Sequence, residues 1–137
     1  CMEASGAFTV EMFMPVDLSD GDEPTTATPV GMARMEKRFA GEISGRSTTL
    51  FTYALDHSTN VGGYVAMESF DGELHGRAGT FNFTHSAMTS GDDRSDESFV
   101  IVPSSGTGDL AGITGTGGLT NAADGAHSIW LNYHLPE

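Results

Sequence analysis

Segment after segment of this chain alternates between apolar and polar residues, and a period of two commits a backbone to β-strands rather than helices. Residues 8–14 put Phe8, Val10, Met12 and Met14 on one face and Thr9, Glu11 and Phe13 on the other. Residues 31–43 put Ala33, Met35, Lys37, Phe39, Gly41 and Ile43 on one face, opposite Arg34, Glu36, Arg38 and Glu42, whose alternating charge marks a wetted face. Further strands are expected over residues 47–55, 64–70, 73–86, 99–102, 113–120 and 127–135. The last carries His127, Ile129, Leu131, Tyr133 and Leu135 together, with Trp130 and His134 opposite. These segments with turn residues between them, and no convincing helix, define an all-β fold. The pattern argues a sandwich or a closed antiparallel eight-stranded barrel, and the barrel suits it best, because closure leaves no exposed edge strand.

The 137 residues suit one domain spanning 1–137. Its 18 glycines are about twice the usual share of about 7% and lie between apolar runs, as tightly curved sheets require. Residues 1–6 are expected as a disordered terminus, and 17–30 and 89–97 as mobile acidic loops.

Charge narrows the partners. Six Lys and Arg against 19 Asp and Glu give a net charge of -13, which repels nucleic acid and anionic membranes. The acidic loops lack the alternation of a helix-loop-helix calcium site. His57, His127 and His134 have no ligand spacing, so neither a metal nor another cofactor is expected. Cys1 is the only cysteine, no nucleophile elbow occurs, and no apolar run approaches the roughly 20 residues of a membrane span. The expectation is a soluble, cytoplasmic protein.

Two resemblances add to this reading. Gly106-Thr107-Gly108-Asp109-Leu110-Ala111-Gly112-Ile113-Thr114-Gly115 lacks the Gly-Lys-Ser/Thr ending of a phosphate loop but resembles a glycine-rich segment of allene oxide cyclases and plant dirigent proteins. The wider stretch 33–135 resembles an uncharacterised bacterial family, the DUF3224 proteins. The resemblance is carried by Lys37-Arg38-Phe39-Ala40-Gly41-Glu42, Gly63-Tyr64-Val65-Ala66-Met67-Glu68, Gly76-Arg77-Ala78-Gly79-Thr80-Phe81, Thr84-His85-Ser86 and Asp124-Gly125-Ala126-His127. It implies an allene oxide cyclase-like barrel and, from those proteins' assembly through barrel contacts, a homo-oligomer. It brings no activity.

Candidate site residues follow from one turn. Asp71-Gly72 reads as a two-residue hairpin, which pairs Glu68 with His75, Ala66 with Arg77 and Tyr64 with Gly79. The shared face also bears Phe81, Phe83 and His85. Glu68, His75 and His85 are then candidate acid–base residues, with Tyr64, Arg77, Phe81 and Phe83 lining a ligand site. Alternatively, Glu68 and Arg77 are a structural ion pair. The leading expectation is a barrel that holds a small apolar or amphipathic molecule in its lumen. A cofactor-free isomerase or cyclase is the second, and an assembly role through barrel contacts the third. A lumen cavity under roughly 300 Å³ would count against both the binding and the catalytic expectation, because drug-sized ligands need more room.

Overall fold

The computed structural model describes residues 1–18, 21–121 and 126–136. Eight antiparallel strands follow one another around a closed ring: β1 Met2–Val16, β2 Gly31–Gly41, β3 Ile43–Asp56, β4 Val61–Leu74, β5 Arg77–Ser90, β6 Asp93–Ile101, β7 Thr114–Asn121 and β8 His127–His134. Each strand pairs with the next, and β8 returns to β1, where Phe8 faces His127. Among the described residues, no helix is long and apolar enough to cross a membrane.

The alternation fixes which residues enter the ring. On β2, Ala33, Lys37 and Phe39 are buried while Arg34, Glu36 and Arg38 are exposed. On β5 the buried residues are Phe81, Phe83, His85 and Ala87, and on β8 they are Ile129, Leu131 and Tyr133. Phe39, Phe70, Phe81, Phe83 and Phe99 form a continuous run of ring contacts through the interior. Each buries enough apolar surface to contribute roughly 1.5–3 kcal/mol. Ile43, Leu74, Leu110, Ile113 and Tyr133 are also fully buried, and with these side chains the interior is packed as a core.

Three local expectations change. Residues 2–6 pair with β8, and Gly6 also with Gly41 of β2, rather than forming a disordered terminus, because Ala4 joins the core. A bulge between Val10 and Met12 then breaks the face pattern, so Val10 and Met14 are exposed. Most of the 89–97 stretch is paired, since β5 runs to Ser90 and β6 starts at Asp93; outward-pointing acidic side chains do not prevent the backbone from pairing. The described part of 17–30 has no helix or strand, while Ser19 and Asp20 lie outside the described residues. So do residues 123–125, between the strands expected at 113–120 and 127–135.

The largest correction concerns the hairpin. Asp71 and Gly72 lie inside β4, and the turn is His75-Gly76, both at positive φ (49° and 79°) between the paired Leu74 and Arg77. Gly72 serves close approach instead: a Cβ there would come within 2.1 Å of the Ser44 carbonyl oxygen on the neighbouring strand. Extending β4 also buries Leu74 completely. Glu68 therefore pairs with Phe83 rather than His75, and Tyr64 with Ala87 rather than Gly79. From His75 to Phe83 is an even displacement, so Glu68 still faces inward.

The glycine-rich segment is a loop with one 3₁₀ turn, Gly108–Leu110. It substitutes for a strand beside the first half of β5: Thr107 N–H donates to the Thr80 carbonyl (2.9 Å) and Asn82 N–H to the Ser105 hydroxyl (2.9 Å). One residue pair, Val100 with Thr116, joins β6 to β7. The ring thus has a seam.

Candidate functional site

A polar cluster interrupts the aromatic interior close to that seam. Register brings Thr49, Glu68 and Phe83 into one row and Phe51, Ala66, His85 and Phe99 into the next, all pointing inward. Glu68 is fully buried and accepts from Lys37 Nζ (3.0 Å), Ser47 Oγ (2.5 Å) and His85 Nε2 (3.0 Å). His85 Nδ1 in turn meets the Tyr64 hydroxyl at 3.2 Å. The result is a hydrogen-bonded chain running from Lys37 on β2 through Glu68 and His85 to Tyr64. Thr49 Oγ1, on the same face, is a buried hydroxyl without a hydrogen-bond partner among the described residues.

Electrostatics fix the protonation of this chain. Burial pushes the Glu68 carboxyl up, but the His85 hydrogen bond, the Lys37 charge and the Ser47 hydroxyl outweigh it and hold the group at about 2. An ionised carboxylate only accepts, so His85 Nε2 carries a hydrogen. When the imidazole is neutral, Nδ1 is then the acceptor and the Tyr64 O–H donates to it. Burial pushes the Tyr64 phenol up, Arg94 opposes this, and Glu97 and Glu68 reinforce it.

Tyr64 and His85 form the inner wall of a cleft of about 200 Å³ at the seam. Phe99 of β6, Leu119 of β7 and Trp130 of β8 add apolar surface, and Arg94 and Glu97 of β6 supply charge. The Arg94 guanidinium lies 5.8 Å from the Tyr64 ring centre and forms no ion pair among the described residues. No group of three metal-ligating side chains occurs among those residues.

The profile of a family described as "Protein of unknown function (DUF3224)" matches residues 4–133. The chain belongs to the DUF3224 family. A crystal structure of a DUF3224 protein of unknown function from Shewanella oneidensis MR-1 superposes with a TM-score of 0.82 at 26% identity, covering 99% of this chain and 98% of that one. No curated protein matches. The ring of this DUF3224 chain therefore has a solved counterpart, while the chemistry of its cleft has to be argued from its own residues.

The sequence candidates separate into two groups. Glu68, His85 and Tyr64 come together, with Phe83 stacked on Phe99 behind them. Phe81 is a core residue packed between Phe70 and Phe83. His75 lies in the β4–β5 turn and Arg77 directly after it, where His75 bonds Tyr133 and Glu42 and Arg77 reaches Met2 Sδ at 3.4 Å. The structural ion pair considered for Glu68 has Lys37, not Arg77, as its cation. Sequence reasoning overlooked Lys37 and Ser47 as site residues. Their signal was present for Lys37, a cation in the apolar row of β2.

Proposed function

We propose that this DUF3224 protein binds a small molecule in the seam cleft between β6 and β7. The observation that carries the reading is that Tyr64 and His85, both buried and bonded to each other, face an opening in the ring where the strand ladder is interrupted. Pockets that combine apolar walls with a few convergent polar groups are the usual form of ligand sites. The lumen itself is a poorer candidate, because aromatic and aliphatic side chains fill it. At about 200 Å³ the cleft falls below the roughly 300 Å³ expected for drug-sized ligands, so the ligand is fragment-sized. The likeness of residues 106–115 to allene oxide cyclases and dirigent proteins is a proposal about fold relationship and lends no cyclase activity.

Native mass spectrometry of the protein isolated from its own host tests this reading. A retained small-molecule adduct, lost on mild denaturation and absent from Tyr64→Ala protein, is the expected result. Adduct-free spectra across several growth conditions, or an adduct that survives Tyr64→Ala unchanged, would overturn it.

A further inference from the structure

We propose that the seam cleft transfers protons on a small enolisable carbonyl compound, with the Tyr64 hydroxyl meeting the substrate. This rests on the seam-binding reading and adds the chemistry. The order of groups is carboxylate, imidazole, phenol: Glu68 Oε1 to His85 Nε2 is 3.0 Å and His85 Nδ1 to Tyr64 Oη is 3.2 Å. Because Glu68 stays ionised and occupies Nε2–H, the basic nitrogen of His85 is aimed at Tyr64 and not at Glu68. Glu68 is therefore not the base. Its oxygens are taken by Lys37, Ser47 and His85, and it orients the ring and stabilises the imidazolium formed during the reaction.

The proton balance closes without a cofactor. The Cα–H bond of the carbonyl compound breaks as its proton moves to Tyr64 Oη, while the phenol proton moves to His85 Nδ1. Tyrosine ends neutral, His85 ends as imidazolium against Glu68, and the C–H electron pair passes into the enolate. Return of the protons by the same route to carbon or to oxygen gives the exchanged ketone or the enol. Burial keeps the Tyr64 phenol protonated, as a shuttle requires. Arg94, beside the Tyr64 ring, supplies a positive charge for the enolate oxygen as charge develops there. Glu97 on the same strand lines the cleft and opposes that charge, so Arg94 must stay free of it, as it is among the described ion pairs.

Acetylacetone in deuterated water is the test, with exchange followed by proton NMR and binding by the fluorescence of Trp130, the only tryptophan. The wild-type protein is expected to exceed an equal concentration of free imidazole at least tenfold, and Tyr64→Phe to lose at least tenfold while Trp130 quenching persists. Circular dichroism establishes that the variant is folded. His85→Gln is expected to flatten the pH profile of exchange, since His85 acts through Tyr64. The groups facing it are Tyr64 and Glu68 from β4, Lys37 from β2 behind Glu68, and Arg94 and Glu97 from β6. His75→Gln is expected to leave the rate unchanged. Saturable quenching without accelerated exchange, or exchange that survives Tyr64→Phe, overturns proton transfer and leaves seam binding standing. An absence of quenching overturns both.

Discussion

The protein builds a tyrosine–histidine–glutamate set twice. At the β4–β5 turn, His75 bonds Tyr133 through Nδ1 (2.7 Å) and Glu42 through Nε2 (3.3 Å). Beside the seam, His85 bonds Tyr64 through Nδ1 (3.2 Å) and Glu68 through Nε2 (3.0 Å). The connectivity is the same and the surroundings are opposite. Glu42 is 54% exposed at its side chain and takes its other bonds from the Ser5 backbone and hydroxyl; Glu68 is 0% exposed and is matched by a buried lysine. Water screens the first set, so it can only trim a turn. The second set sits where a charge interacts strongly and where an opening lets a ligand approach.

The contrast is broken most forcefully by deleting the carboxylates. Glu68→Gln leaves Lys37 buried without a counter-charge and is expected to cost about 3–5 kcal/mol in urea unfolding. Glu42→Gln is expected to cost far less than Glu68→Gln, as solvent-screened surface pairs do. Equal losses would show that the two sets are energetically alike. Replacing both members, Lys37→Met with Glu68→Leu, is expected to recover most of the loss, because two desolvated charges are removed together.

Acid titration sharpens the same contrast. The folded Glu68 carboxyl is held at about 2 against an ordinary value of 4.5. Between these values the unfolded chain binds a proton that the folded chain does not, so stability falls as the pH drops through this window. The Glu42 carboxyl is also held down, first by the Ser5 backbone N–H and then by His75, but at an exposed position where solvent screens it. Chemical denaturation at pH 5 and pH 3 should therefore show a loss that shrinks markedly in Glu68→Gln and little in Glu42→Gln.

The smallest expected effect concerns Thr49, whose buried hydroxyl has no partner among the described residues. Thr49→Val removes an unsatisfied polar group and is expected to raise stability by about 1 kcal/mol or leave it unchanged, read from the thermal midpoint. A clear loss would mean that this hydroxyl is bonded in solution.

Much of the ring was legible in the sequence. Alternation assigned the inward rows of β2, β5 and β8, because each side chain's face follows from period two alone. Lys37 stood in one of those rows. Turn position was not legible: Asp71-Gly72 has the chemistry of a hairpin, but Gly72 answers a close approach from Ser44 on another strand, which a sequence does not display. The even displacement preserved the faces of Glu68 and His85 while removing His75 and Arg77 from their company. The seam was hidden for a similar reason. It exists because the 102–113 loop takes the place of a strand beside β5, a tertiary choice without a local signal.

The most direct measurement is histidine-selective nitrogen-15 NMR while fragment-sized ligands are titrated. The account predicts that His85 carries its hydrogen on Nε2 in the neutral ring and that its signals shift on ligand addition while those of His75 stay in place. An Nδ1–H tautomer at His85, or ligands that move both histidines equally or neither, would contradict it.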